Sequence, residues 1–312
     1  MIMKKTVGRL ISLILVCALL IVPCQAASAD EAVANEDTSY QPYIAFGQNL
    51  KSNEKATVLA GFGITEADLA NYKTVEVTNQ EEHDYLGDYI ASNVIGTRAL
   101  SSVMVVKTES GTGIHVTTQN INYCTSGMYC NALLTAGLQD ADVKVVAPFT
   151  ISGTSALVGA MKAYSAMTGQ DISEDTRDAA TDELVTTAEI AESVGDSEKV
   201  EQLVAAVKQE IFSDGQTSRD DIVNTIEECS QKLDVSLTQA QKDQLTDLMV
   251  KISKQDIDVD ALKEQAKDLY QKLKDSGFDF KNVDTDAIAK EAGGIFGRIF
   301  KAISDFFKKL FS

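Results

Sequence analysis

Histidine is scarce in this sequence, and so are the residue patterns from which many enzyme sites are built. The two histidines are His83 and His115, which limits arrangements in which a base activates a nucleophile. No GxSxG elbow occurs, because residues 153–157 lack the second glycine. The CxxC spacing of many metal sites is also missing. We therefore expect no cofactor and no metal, and the sequence favours a noncatalytic protein.

Positive charge is in short supply as well. The chain carries 28 Lys and Arg against 46 Asp and Glu, which gives a formal net charge of −18. Proteins that bind nucleic acid show a basic face. A nucleic-acid partner is therefore not expected.

Cysteine is too sparse for a disulfide scaffold. Beyond the N-terminal segment the chain keeps only Cys124, Cys130 and Cys229, and an odd number does not describe such a framework. Two alternatives stay open for Cys124 and Cys130: a disulfide between them, if a turn brings them together, or two small, partly buried apolar side chains. A thiol dyad of either one with His115 is a weaker third alternative. Cys229 is expected to be a buried apolar residue.

The N-terminus has the layout of a secretory signal. Three basic residues precede an apolar run at residues 10–22, and Pro23 and small residues follow. The run is shorter than the roughly 20 residues that span a bilayer. We predict a signal peptide at residues 1–29, with cleavage after Ala29 and Ala26 as the second choice. The mature protein is then secreted or associated with the cell surface.

Composition predicts an α+β (or α/β) fold with a mixed sheet, followed by a helical bundle and an amphipathic tail helix. The predicted divisions are a flexible acidic N-terminus at 30–39, an α/β domain at 40–170, a helical domain at 171–276, and a linker with the tail helix at 277–312. The predicted strands and helices of the α/β domain follow the period-2 and period-3.6 patterns. The strands are expected at 43–50, 73–78, 102–108, 113–120 and 143–149, and the helices at 52–61, 80–95, 127–136 and after Gly153.

Residues typical of turns and of helix caps predict where a turn lies and where helices begin. Residues 110–113 predict a hairpin turn between the third and fourth strands. In the helical half, cap residues predict helix starts at Thr181, Asp196, Ser218, Thr238 and Asp258. Two apolar stripes mark the buried faces of two of these helices. They are Ile222, Ile226, Cys229 and Leu233, and then Leu245, Leu248, Met249 and Ile252.

A short polar segment follows the last predicted strand and opens a helix. Ser152, Gly153, Thr154 and Ser155 could present backbone N–H groups to an anion at the helix start. Serine and threonine are also ordinary helix caps, and Gly153 can supply an unusual backbone angle. Structural capping is the favoured interpretation, with an anion site as the alternative.

The C-terminal segment carries a pronounced apolar stripe. Residues spaced about 100° apart around a helix place nine large apolar residues on one face: Ile295, Phe296, Ile299, Phe300, Ile303, Phe306, Phe307, Leu310 and Phe311. The opposite face is basic, which suits an anionic membrane surface. Docking in a partner's apolar groove, folding back onto the helical half and bridging a homodimer are the alternatives.

The middle of the chain resembles a known family. The segments NINYCTSGMYCNAL at 120–133 and APFTISGTSAL at 147–157, with residues 135–137, 140–145, 162–164 and 245–273, are similar to the YpuA-like family of predicted secreted Firmicute proteins, a domain of unknown function. The resemblance implies export and a shared body. It implies no activity, ligand or catalytic residue.

Two function classes follow. The first is an exported, noncatalytic binding protein of the cell envelope or extracellular space, whose tail helix binds a membrane surface or an envelope protein, with homo-oligomers allowed. The second is an envelope enzyme, hydrolase-like, whose site is not recognisable in the sequence.

The predicted signal peptide can be checked on secreted protein. We expect the mature chain to start near Asp30, because the small residues before it suit signal peptidase. Intact-mass measurement of protein from culture supernatant gives the answer. A mass that retains residues 1–29 would contradict both export and cleavage.

Overall fold

The computed structural model describes residues 41–215, 217–258 and 260–262. In chain order the elements are β1 Tyr43–Gly47, α1 Ser52–Phe62, a 3₁₀ helix at Glu66–Asn71, β2 Lys73–Val77, α2 Asn79–Leu86, α3 Ser92–Ile95, β3 Ser102–Lys107, β4 Ile114–Ile121, α4 Ser126–Thr135, β5 Ala141–Ile151, α5 Thr154–Thr168, α6 Glu174–Val194, α7 Ser197–Asp214, α8 Arg219–Lys232 and α9 Gln239–Ile252. Among the described helices, none has the length and apolarity needed to cross a membrane. The predicted α+β class is confirmed.

The five strands form one mixed sheet in the order β2-β1-β3-β5-β4. β1 is parallel to β2, and β4 is parallel to β5. β3 lies between β1 and β5 and is antiparallel to both. Four strands therefore run in one direction. Their carboxyl ends lie together at one end of the sheet, beside the start of β3.

The hairpin predicted at residues 110–113 is wrong, because β5 inserts between β3 and β4. Asp140, just before β5, organises the connection instead: its Oδ1 accepts from the backbone N–H of Gly111 at 2.9 Å and of Gly113 at 3.0 Å. The turn residues fit a turn, but a local pattern cannot show that a later strand will separate the two it joins.

Helices cover both faces of the sheet. α1 packs on one face through a small cluster that includes Phe46, Val58 and Val146. α4 and α5 pack on the other face in the main core. A Cβ on Gly159 of α5 would lie 2.9 Å from Ala45 Cβ, so this glycine lets the helix approach the sheet closely.

The helical half begins earlier than the caps predicted. Ser173 caps α6, which continues through Thr181, so the predicted start at Thr181 is wrong. The single helix predicted at 80–95 is instead two helices. α2 ends at Leu86, just before Gly87, because glycine is a weak helix former. The predicted caps Asp196, Ser218 and Thr238 are confirmed, and all eight residues of the two predicted stripes are buried.

One continuous hydrophobic cluster contains residues from the sheet, from α4 and α5, and from α6 to α9. The two predicted domains on either side of residue 170 thus share a core. Their division there remains a prediction from composition.

A buried ion pair lies where three helices meet. Lys208 on α7 and Glu183 on α6 are both 0% exposed, with Lys208 Nζ 2.8 Å from Glu183 Oε1. The same Nζ donates to the Asn131 carbonyl at 2.8 Å and to Thr135 Oγ1 at 3.1 Å on α4, and the Thr135 hydroxyl donates to Glu183. All three ammonium hydrogens therefore have partners. Burial raises the pKa of Glu183, and the Lys208 ammonium opposes that rise.

Replacing Lys208 by methionine should destabilise the protein strongly. Lys208→Met leaves the Glu183 carboxyl buried without its cation, which typically costs about 3–5 kcal/mol. Chemical denaturation of the mature protein measures the change in the free energy of unfolding.

Two variants make that measurement interpretable. The pair Arg219–Asp247 is exposed, with 55% and 67% of the side chains accessible, so Arg219→Met should cost less than about 1 kcal/mol. The double variant Glu183→Leu/Lys208→Met removes both charges and should recover much of the loss. A single Lys208→Met loss no larger than that of Arg219→Met would show that the pair does not hold the helices together.

Candidate functional site

A polar cavity of about 300 Å³ opens at the sheet edge where the four parallel strands end. In open sheets with parallel strands, this edge is where ligands commonly bind. Asn122 follows β4, Ser152 follows β5, and Ser101 precedes β3. The polar residues of its lining are Glu82, Thr97, Arg98, Ser101, Asn122, Ser152, Thr154 and Ser155.

The start of α5 forms one wall of the cavity. Gly153 has φ +97°, a conformation that side-chain-bearing residues rarely adopt. A Cβ there would also lie 2.5 Å from the Tyr129 hydroxyl oxygen. That hydroxyl donates to the Gly153 carbonyl at 2.6 Å, so Tyr129 of α4 holds the turn from which α5 departs.

Two serines satisfy polar groups of the first turn of α5. Ser101 Oγ accepts from the Ala156 N–H at 3.0 Å and lies 2.6 Å from Ser155 Oγ. The Ser155 hydroxyl donates to the Ser101 carbonyl at 3.1 Å. Ser101, just before β3, therefore supplies an acceptor to the first turn of α5, whereas the N-cap residue Gly153 has no side-chain cap bond. The expected capping by the serine and threonine side chains of residues 152–155 themselves is wrong.

A buried carboxyl group lies beside the same helix start. Glu82 on α2 is 1% exposed. Its Oε1 accepts from the Thr154 hydroxyl at 3.0 Å, and its Oε2 accepts from Asn79 Nδ2 at 3.2 Å. Burial raises the pKa of Glu82 to about 7. Near neutral pH its carboxyl group is therefore present in both protonated and ionised forms.

The Glu82 carboxyl group affects whether an anion can bind at the predicted site, which consists of Ser152, Gly153, Thr154 and Ser155. The structure brings these residues together in the cavity wall. An anion there would meet Glu82, which repels it whenever the carboxyl is ionised. Anion binding at this segment remains a prediction.

Sequence reasoning missed Glu82, although a signal was present. Glu82 is four residues before Leu86, which is 0% exposed. Residues four apart share a helix face, so Glu82 lies on the apolar face of α2. Glu81, Asp84 and Asp88 nearby give the stretch the composition of a solvated helix face, which conceals this signal.

Arg98 is the cationic residue of the cavity lining, and its charge is already paired. Its Nη2 donates to Glu54 Oε2 at 2.5 Å and to the Asn49 carbonyl at 2.8 Å. The hydrogen bond from Arg98 holds the pKa of Glu54 below its usual value. A ligand that used Arg98 would therefore compete with Glu54.

The two histidines have structural contacts. His83 Nε2 donates to the Gly96 carbonyl at 3.0 Å, which fastens α2 to the loop at the cavity mouth. His115 Nδ1 lies 3.5 Å from Asp142 Oδ1, with 45% of its side chain exposed.

Cys124, Cys130 and Cys229, the cysteines in the described part of the chain, are thiols. Cys124 and Cys229 are buried, and burial raises the pKa of each thiol to about 12. Cys130 Sγ donates to the Ile114 carbonyl at 3.5 Å. The disulfide between Cys124 and Cys130 is therefore not formed, since Cys124 lies in the core while Cys130 contacts β4. Neither buried thiol is activated as a nucleophile.

A larger hollow of about 560 Å³ lies elsewhere, beside the start of α6. Asp171, Asp256 and Asp258 line it, and Asp258 already accepts from Gln139 Nε2 at 2.6 Å. In the described part of the chain no group of three or more His, Cys, Asp or Glu residues is placed to hold a metal. The smaller cavity is the stronger candidate because it has a buried acid with a raised pKa.

The predicted C-terminal face lies outside the described residues. It comprises Ile295, Phe296, Ile299, Phe300, Ile303, Phe306, Phe307, Leu310 and Phe311. Its membrane or partner contact remains a prediction.

Comparison with known proteins gives two matches. Residues 46–269 match a family model described as "Protein of unknown function (DUF1002)". The chain is also 39% identical over 279 residues to "Uncharacterized protein YpuA" of Bacillus subtilis (strain 168), covering 88% of this chain and 91% of that relative. No solved structure matches the chain significantly.

The raised pKa of Glu82 predicts that stability falls as pH rises. Between its ordinary value of 4.5 and about 7 the folded protein keeps a proton that the unfolded chain has lost. The stabilisation is complete below 4.5 and disappears as pH rises through about 7. Its size is up to about 3 kcal/mol. Denaturation at a series of pH values measures the decline.

Glu82→Gln should lessen that decline, because glutamine keeps hydrogen-bonding atoms but does not titrate there. Burial also raises the pKa of Glu201 on α7 to about 7. The part of the pH dependence that comes from Glu201 should therefore persist in the single variant. The stability of the double variant Glu82→Gln/Glu201→Gln should therefore change less with pH than the stability of Glu82→Gln. A Glu82→Gln profile that overlays the wild-type profile would contradict the buried, protonated state of Glu82.

Proposed function

The chain belongs to the DUF1002 family of proteins of unknown function, and from its own geometry we propose that it is an exported, noncatalytic binding protein. The observation that carries the proposal is the polar cavity at the carboxyl ends of the parallel strands, with Glu82 buried in its wall. The ligand is a small molecule of the cell envelope or its surroundings.

The chemistry of the nearby residues favours binding over catalysis. The Cys124 thiol is buried with its pKa raised to about 12, His83 is hydrogen-bonded to Gly96, and Arg98 is paired with Glu54. An activated nucleophile needs an adjacent base or a lowered pKa. Neither condition is met by these three side chains.

The lining favours a small, uncharged ligand that bears hydroxyl or amide groups. The hydroxyls of Thr97 and Ser152 and the amide of Asn122 offer both donors and acceptors. The volume is at the low end of ligand pockets, which begin at about 300 Å³. Glu82 opposes an anion, and the positive end of the α5 dipole opposes a cation.

Export and surface association complete the proposal. The N-terminal segment supports secretion, and the apolar C-terminal face with its basic opposite side supports contact with an anionic membrane or an envelope protein. In this arrangement the tail localises the protein, and the cavity binds its ligand.

One observation supports an enzyme as the second candidate. A carboxyl group with a pKa of about 7 beside a cavity has the proton affinity that general acid–base catalysis uses. In that alternative Glu82 would transfer a proton to or from a bound substrate. Structural hydrogen-bond networks also perturb pKa values, and Glu82 is part of one.

Ligand capture from envelope material tests the proposal. Immobilised mature protein is incubated with small-molecule extract of the cell wall and membrane, washed and eluted, and the eluate is analysed by mass spectrometry. We expect an uncharged compound that is retained by the wild type. Thr97→Trp should lose it, because Thr97 is exposed at the cavity mouth and a large ring there covers the opening.

Matched variants separate the outcomes. Asn93→Trp adds the same ring at an exposed position outside the lining and should keep the ligand. A variant ending at Gly293 should also keep the ligand but lose binding to anionic vesicles. Chemical conversion of the compound by wild type and not by Glu82→Gln would favour the enzyme. Equal retention by Thr97→Trp and Asn93→Trp would reject the cavity as the site.

A further inference from the structure

A hollow of about 440 Å³ lies where α8 ends and α9 begins. Glu227, Ser230 and Gln231 of α8 line it, and Asp234 follows them in the lining. Residues three and four positions apart share a face of a helix, so the last turns of α8 present one face to the hollow. Lys242, near the start of α9, also lines it. The volume lies within the range of small-ligand sites.

The hydroxyl group of Ser230 is buried beside this hollow without a hydrogen bond. Ser230 is 5% exposed, and its Oγ has no partner in the described part of the chain. The hydroxyls of Thr225 and Thr246 on the same two helices instead donate to the carbonyl four residues earlier. A buried hydroxyl that lacks a partner costs free energy. A ligand in the hollow would supply the missing hydrogen bond.

Asp234 occupies a position at which aspartate weakens the fold. The Val235 N–H donates to the Ser230 carbonyl at 2.9 Å. The Asp234 N–H donates to the Gln231 carbonyl at 3.3 Å. These two bonds form a Schellman ending of α8, in which glycine is the usual residue at the position of Asp234. Asp234 has φ +54°, which glycine adopts more easily than aspartate, and its negative charge lies at the negative end of the helix dipole. Contact with a ligand would compensate for both costs.

The charges around the hollow favour a cation. Lys242 Nζ lies 2.9 Å from Glu227 Oε1, so the charges of this pair balance. Asp234 then adds one negative charge to the lining. Lys199 Nζ is 3.9 Å from Asp234 Oδ2, whose side chain is 94% exposed, and exposed pairs of this kind contribute little. The carboxylate of Asp234 is therefore available to a positively charged ligand.

We propose that this hollow binds the free amino group of a short peptide. A primary ammonium group has three N–H donors, and the Asp234 carboxylate and the Ser230 hydroxyl accept two of them. The Gln231 side-chain amide donates to and accepts from the peptide groups that follow. Val235 and Leu237 also line the hollow and offer apolar surface to small side chains.

The size and composition of the hollow favour a peptide over a metal ion. A bare ion would leave most of the volume empty, and within the described ranges no group of three or more His, Cys, Asp or Glu residues is placed to hold one. Capture of an N-terminal amine is a recognised mode of peptide binding. This site is separate from the cavity at the carboxyl ends of the strands and goes beyond the proposed function.

Two matched peptides test the role of charge. Calorimetric titration of the full mature protein compares alanyl-alanyl-alanine amide with its N-acetylated form, which lacks the ammonium group. At about pH 6.5 the free amino group is charged, since its ordinary pKa is about 7.7–8.0. We expect the free-amine peptide to bind at least about tenfold more tightly. Equal affinity for the two peptides, or no binding of the free-amine peptide, would overturn the proposal.

Substitutions in the lining test the location. Asp234→Asn should weaken binding of the free-amine peptide at least about tenfold, and Ser230→Ala about fivefold. Glu228→Gln is the matched control, because Glu228 is an exposed acid of the same helix outside the lining. It should bind the peptide as the wild type does, and so should Thr97→Trp at the other cavity. An Asp234→Asn loss no greater than that of Glu228→Gln would reject the site.

Asp234→Gly separates binding from folding. Glycine suits the left-handed backbone and removes the charge from the end of α8, so the variant should unfold at a higher temperature than the wild type. It should nevertheless bind the free-amine peptide at least about tenfold more weakly. Loss of binding by a more stable protein does not result from unfolding. A stable Asp234→Gly variant that binds the peptide as tightly as the wild type would contradict the proposal.

Discussion

The ion pair of Lys208 with Glu183 is the constraint on which the rest of the molecule depends. Both charges lie where water cannot reach them, so each must find its partners within the protein. Lys208 finds them on α4 and α6 at once. α4 in turn carries Tyr129, whose hydroxyl holds the Gly153 carbonyl at the start of α5. The helical half thus fixes the wall of a cavity on the sheet.

Three buried or partly buried carboxyl groups show how surroundings set chemistry. Glu183 has a lysine ammonium in contact. Glu82 accepts from the Thr154 hydroxyl and the Asn79 amide, and Glu201 accepts from the Thr125 hydroxyl. Burial raises the pKa of all three. Of the three, Glu183 is the one with a lysine in contact, which favours its ionised form. Glu201 lies at the first turn of α4 and Glu82 at that of α5, so both helices begin against an acid that can hold a proton near neutral pH.

Local features of the fold could be predicted from sequence, and long-range ones could not. The strand positions, the caps Asp196, Ser218 and Thr238, and the two apolar stripes depend on neighbouring residues, and the predictions were confirmed. The hairpin before β4 failed because β5 comes from farther along the chain. The burial of Lys208 could not be predicted from the sequence for a similar reason, because its partners lie 25 to 77 residues away. The segment at 152–155 was located, but its acidic neighbour Glu82 comes from another helix.

The last strand of the sheet to be synthesised is also an interior one. β5 bonds to β3 on one side and to β4 on the other, so a nascent chain that stops short of Ala141 leaves both of those strands with an open side. Strands in that condition invite pairing with other chains. A ribosome must therefore deliver β5 before the sheet can close, and until then the chain depends on being kept apart from its neighbours.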